Sequence, residues 1–177
     1  MFALLAVTIA LPSDEKAGVA MEEPRKVPTL YEWMGGMPAI SRLLETFYGR
    51  VPSDPTLAPV FAQMSPAHSA HVADFIAEVF GGPKTYSAEH GGHPNMIGRH
   101  LGRALTETQR KRWISLLLEC ADEIGVPADP EFRSAFVAYL EWGTRLAVLN
   151  SQPGATVTVD SPMPAWGWGE VKGPYVP

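Results

Sequence analysis

Pro38-Ala39-Ile40-Ser41-Arg42-Leu43-Leu44-Glu45-Thr46-Phe47-Tyr48-Gly49-Arg50-Val51 carries apolar residues at Ile40, Leu43, Leu44, Phe47 and Val51. That is the i, i+3, i+4, i+7 register of a helix with one buried stripe, opened by a proline whose fixed φ suits a first helical position. Tyr48 falls on the edge of the stripe. Outward from this helix the same period recurs. Upstream, Thr29 to Met34 reads as a short helical turn halted by Gly35-Gly36. Downstream, Pro52-Ser53-Asp54-Pro55 breaks the helix, and Leu57 to Phe61 is a short turn ending in an aromatic. Ser65-Pro66 predicts a helix start with Ser65 as N-cap, and the helix carries Val72, Phe75, Ile76, Val79 and Phe80 on one face before Gly81-Gly82-Pro83 ends it. Thr106 and Gln109 form a capping box. Their helix runs to about Ile124 and buries Trp113, Leu116, Leu117, Cys120 and Ile124. Asp129-Pro130 caps a last helix whose buried face is Phe132, Phe136, Val137, Leu140, Thr144 and Ala147. No stretch reads as a strand, so the fold class is all-α.

Between the middle helices, residues 83–95 show no periodicity and read as a long loop. Loops of that length in a compact domain are usually functional. Asn95 is placed to cap a short helix bearing His100, which closes Gly91-Gly92-His93-Pro94-Asn95-Met96-Ile97-Gly98-Arg99-His100. An imidazole facing walls of Phe, Trp, Tyr, Val and Ile suits a haem iron, because a neutral ring nitrogen donates to the metal while apolar walls exclude water.

Composition narrows the alternatives. The chain has 177 residues, 46% of them apolar, which suits one ordinary globular domain. A net charge of -5 speaks against a nucleic-acid partner, which would need a basic stripe. Cys120 is the lone cysteine, so no intramolecular disulfide and no thiolate metal cage can form, and a cytoplasmic location is the natural expectation. Without a Cys-x-x-Cys-His motif, any haem is expected to be haem b, held noncovalently. No His-Glu-x-x-His pair supports a zinc site. Phe2 to Pro12 is apolar but too short to span a bilayer, so no membrane association is expected. No Lys or Arg precedes it as an export signal requires, and Met21 reads as an alternative start. The expected division is an N-terminal extension (1–27), a helical domain (28–151) and a Pro/Gly/Trp-rich tail (152–177). The tail's Trp166 and Trp168 either cover a dimer surface or fold back on their own chain, so monomer and homodimer both stay open.

Several pieces in order resemble the truncated haemoglobins of group II. They are Tyr31-Glu32-Trp33-Met34-Gly35-Gly36, Phe47-Tyr48, Ala58-Pro59-Val60-Phe61, Gly81-Gly82-Pro83-Lys84-Thr85-Tyr86-Ser87, His93-Pro94, Arg99-His100 and Trp113. The resemblance covers about residues 28–151 and implies a two-on-two helical sandwich around a haem. It implies that His100 is the proximal iron ligand, and that Tyr48 and Trp113 point hydrogen-bond donors at a distal ligand. Phe61 stands where many members carry tyrosine, which removes one hydroxyl and leaves a phenyl ring against the haem. His68 falls near the distal entry, where it either gates the pocket, bonds a ligand, or is a solvated residue of the first helical turn. Val72, Phe75 and Ile76 face the macrocycle, with His71 at its edge, and Met96 is also counted among the cofactor-binding residues. Arg99 and Tyr86 are the best placed for the propionates, with Lys84, His71 and His93 nearby. Two functions follow from the resemblance: binding of O2, CO, NO or another small ligand, or a haem redox enzyme of the NO-dioxygenase or peroxidase kind, served by a reductase.

Overall fold

The computed structural model describes residues 26–156 and 160–174. The readings of Phe2 to Pro12 and of Met21 lie outside these residues. All regular structure among the described residues is helical: α1 Leu30–Met34, α2 Gly36–Arg50, α3 Ala58–Phe61, α4 His68–Val79, α5 Thr85–Glu89, α6 Gly92–Gly98, α7 Glu107–Ile124 and α8 Pro130–Asn150. Helix α2 packs on both α4 and α7, and α7 packs on α8.

The caps show why the boundaries fall where they do. Thr29 and Glu32 complete a capping box on α1, and Thr106 and Gln109 complete the expected one on α7. Asp129 accepts from Phe132 N at 2.9 Å ahead of Pro130, as expected for α8. Each satisfies an amide that the first turn would leave unbonded, worth about 1 kcal/mol. Gly82 ends the α4 region for a steric reason: a Cβ there would lie 2.7 Å from Tyr31 Cδ2 and 2.8 Å from Ala77 O. The close approach seats Tyr31 against the end of α4.

Several expectations are corrected, among them the start of α2, which begins at Gly36, two residues ahead of Pro38. Ser65 does not cap α4, which starts at His68 behind Ala67 and has no side-chain cap. Instead Ser65 O accepts from His68 N at 3.0 Å, a turn that delays the helix. Residues 83–95 are not an irregular loop, because they contain α5 and most of α6. Both helices are too short to show a period. Gly91, with φ of +75°, makes the left-handed break between them. Asn95 lies inside α6 rather than at a cap, and its amide donates to His90 O at 2.7 Å. His100 follows α6 in a turn.

Phe47, Phe80, Phe132 and Phe136 are fully buried where the helices meet. Phe132 and Phe136 stack at 5.6 Å, and Phe80 meets Phe136 edge-on at 6.0 Å. Each such ring contributes roughly 1.5–3 kcal/mol by leaving water. On α8 the buried face is Phe132, Ala135, Phe136, Tyr139 and Leu140, while Val137, Thr144 and Ala147 are only half-buried. Trp113 and Ile124 are likewise half-buried on α7.

The C-terminal segment folds back on its own chain. Trp166 donates its indole N–H to Ala135 O at 3.0 Å, and its backbone N–H to Val79 O at 2.8 Å. Trp168 donates its indole N–H to Pro28 O at 2.7 Å. A single 3-10 turn, Gly169–Val171, is its one regular element among the described residues. Closer to the site, Ser151 at the end of α8 is fully buried and accepts from Ala104 N and Leu105 N, both at 2.9 Å. Those bonds anchor to the end of α8 the stretch of chain that follows His100.

Candidate functional site

A cavity of about 720 Å³ opens among α2, α3, α4, α6, α7 and α8. That volume lies within the range of cofactor and ligand sites, roughly 300–1,000 Å³. Tyr48, Phe61, His68, His71, Val72, Phe75, Ile76, Tyr86, Met96, Arg99, His100 and Trp113 all line it. Six different stretches of chain are thus brought to one space. Lys84 is not part of the lining, whereas His93 is.

On one wall, His100 Nδ1 lies 2.9 Å from Met96 O. A carbonyl can only accept, so Nδ1 carries the proton and Nε2 keeps its lone pair. Nε2 has no hydrogen-bond partner among the described residues. Burial pushes the His100 pKa down, with the Met96 carbonyl acting the other way and Arg103 adding to the depression. The ring is therefore neutral near pH 7, with its tautomer set by the backbone. A metal-ligating imidazole is oriented in this way.

A cluster of aromatic and polar side chains forms a second part of the lining. Tyr48 and Trp113 both meet Phe47 edge-on, at 4.9 and 5.2 Å, so one buried phenyl positions the two. Tyr48 is 6% exposed. Burial holds its hydroxyl far above the usual tyrosine pKa, with the Trp113 indole opposing the shift. Tyr48 is therefore a neutral phenol that keeps its proton. Its Oη lies 3.0 Å from His68 Nε2, so His68 is not merely solvated. Phe61 stands edge-on to Tyr48 at 5.6 Å and to His68 at 5.9 Å, adding an apolar wall and no donor. Its helix α3 is initiated by Asp54, whose Oδ1 accepts from Thr56 N and Leu57 N at 3.0 and 3.1 Å.

Phe75 meets Tyr86 edge-on at 5.0 Å and stacks on His93 at 6.3 Å. Val72 and Ile76 continue the apolar surface of α4. Arg99, Arg103, His71 and His90 bring basic groups to the lining, and His90 bonds Asp74 at 3.2 Å. Burial raises the Tyr86 pKa, keeping that hydroxyl protonated. An apolar space, the free imidazole nitrogen of His100 and several basic groups together match a flat apolar macrocycle with anionic substituents.

Residues 29–142 match the family described as bacterial-like globin. The chain belongs to the bacterial-like globin family. It is 33% identical over 117 residues to the group 2 truncated hemoglobin YjbI of Bacillus subtilis, covering 66% of this chain and 86% of the relative. The group II truncated hemoglobin of Bacillus anthracis superposes with a TM-score of 0.64 at 29% identity, covering 70% of this chain and 93% of that one. The truncated oxygen-avid haemoglobin of B. subtilis gives 0.61 at 32% identity, over 68% and 99%. This globin has the two-on-two truncated fold of group II, and its family implies a haem cofactor and small diatomic ligands.

Several lining residues escaped the reading of the globin's sequence. Tyr139 lies on the cavity wall and is buried, and its spacing of three from Phe136 on α8 was the available signal. Arg103 and His90 sit in turns, where no period points inward. Arg110 is 4% exposed and pairs with Glu107 at 2.9 Å and Glu141 at 3.0 Å. A charged residue in an amphipathic helix gives no sequence sign that it is buried.

Proposed function

We propose that this globin binds one haem b through Nε2 of His100 and presents Tyr48, Trp113 and His68 to a small ligand beyond it. The observation that carries the reading is the bond from His100 to Met96 O, which leaves a neutral, correctly protonated imidazole nitrogen unpartnered in an apolar cavity of about 720 Å³. When bound, haem supplies an iron that takes O2, CO or NO and exchanges electrons. The chain's own part is to hold and shield it. Phe61, Val72, Phe75, Ile76 and Met96 exclude water from the space, and dryness strengthens every polar contact within it. Arg99, His71 and Tyr86 are the groups we assign to the propionates, by charge and by hydroxyl donation. Trp113 can only donate, and the neutral Tyr48 phenol donates or accepts. Both suit a ligand that gathers negative charge. The description of the B. subtilis relative as oxygen-avid supports O2 as that ligand. A cytoplasmic setting suits the single buried Cys120.

The redox reading rests on a separate observation, the His68–Tyr48 contact, which connects a buried hydroxyl to a half-exposed imidazole able to carry protons. Stopped-flow O2 dissociation, together with NO consumption in the presence of a reductant, separates the two functions. Slow O2 release with NO turnover supports the enzyme and fast release without turnover the carrier. A protein forming neither an O2 nor a CO complex overturns both.

A further inference from the structure

Tyr48 brings a hydroxyl to the donor cluster, and that hydroxyl is already engaged, because Oη lies 3.0 Å from His68 Nε2. A phenol has one proton and two lone pairs, while each nitrogen of a neutral imidazole carries either a proton or a lone pair. The contact therefore has two forms. With a proton on Nε2, His68 donates to Tyr48, which is left free to aim its own proton into the cavity. With Nε2 bare, Tyr48 spends its proton on His68 and shows the cavity only lone pairs.

We propose that His68 is a positioning residue that sets the direction of the Tyr48 hydroxyl, and so decides whether the pocket offers a small ligand one hydrogen-bond donor or two. This rests on the haem reading above. The surroundings favour it. The Trp113 indole N–H, a group that can only donate, stands close enough to Tyr48 to oppose the effect of burial on its hydroxyl, so it is a fixed donor beside a switchable one. Phe61, edge-on to both rings, offers Tyr48 no rival partner. His68 opens α4 and is half-exposed, so it exchanges protons with solvent while Tyr48 stays buried.

The groups facing His68 are Tyr48 from α2, His71 from its own helix, and Arg99, His100 and Arg103 from the end of α6 and the turn beyond. Burial first, then His71, Arg103, His100 and Arg99, holds its pKa below the ordinary imidazole value. Near neutral pH both tautomers of the neutral ring are available, so both hydroxyl directions occur. Acidification below the usual imidazole range protonates both nitrogens, and only the form with Tyr48 aimed at the cavity remains. Ligands that accept hydrogen bonds gain from this, and a nearly neutral ligand such as CO only reports it.

The test is the infrared C–O stretch of the CO complex of the full chain, followed from about pH 8 to about pH 5. A donor aimed at CO lowers its stretching frequency. The wild type is expected to show two bands, with the lower-frequency one growing as pH falls. Its O2 release should slow roughly five- to tenfold over the same range. His68→Gln supplies both an N–H and a carbonyl but does not titrate, so both bands should persist with no pH dependence. Tyr48→Phe should abolish the dependence although His68 remains, because the effect runs through the hydroxyl. An unchanged pH profile in His68→Gln would show that His68 is not the switch. A pH-dependent band persisting in Tyr48→Phe would show that His68 acts on the ligand directly, and either result overturns the proposal. A chain forming no CO complex overturns the haem reading and this inference with it, a failure distinct from a complex with one pH-independent band.

Discussion

His100→Ala leaves a protein that no longer retains haem, while His68→Ala keeps it. The first substitution deletes the one bond this account assigns between protein and iron. The loss should exceed the roughly 100-fold that removing a supporting partner alone can cost. The second removes a residue at the opening of α4 whose structural role is its contact with Tyr48. Because His100 lies in a turn after α6 rather than within the helical core, its truncation should spare the fold and leave a vacancy of imidazole shape. Added imidazole is therefore expected to restore a Soret band to His100→Ala, read against the wild type by absorbance titration. If His68→Ala loses haem and His100→Ala retains it, the assignment of the two sides of the pocket is reversed.

The second large effect concerns the donors. Tyr48 and Trp113 come from α2 and α7 and are positioned by the same phenyl ring, Phe47. A dry, well-aligned hydrogen bond to a ligand with partial negative charge contributes about 1–2 kcal/mol. Losing either donor should speed O2 release roughly 5- to 30-fold, at about 1.4 kcal/mol per factor of ten. The double variant should exceed either single one. CO release should change far less, because CO gathers little charge. Stopped-flow dissociation of both gases from Tyr48→Phe, Trp113→Phe and the double variant provides the check. If both gases shift equally, the residues shape the pocket without bonding the ligand.

What could be read from the sequence tracks element length and chemistry. Helices α2, α7 and α8 span several turns, so their apolar stripes repeat, and Thr106 and Asp129 cap α7 and α8 with side chains that reach a free amide. Helices α5 and α6 have five and seven residues, too few for a stripe to repeat, and two glycines in their joint looked like loop. Ser65-Pro66 has the composition of a helix start, but the chain makes another turn first, and local chemistry alone does not distinguish the two. The cavity lining was legible where a familiar motif lay in register, as at Tyr48, Trp113 and His100. It was hidden where turns supply the residue, as at Arg103 and His90. The direct contact between His68 and Tyr48 depends on how α4 is placed against α2, a tertiary fact with no signature in either segment.

The central claim is that this chain holds one haem b, noncovalently, at His100, and the most direct measurement is haem titration of the apoprotein followed by acid–butanone extraction. The account predicts a Soret band that saturates at one haem per chain, with a colourless protein after extraction. Failure to saturate, or a Soret band remaining with the extracted protein, would contradict it.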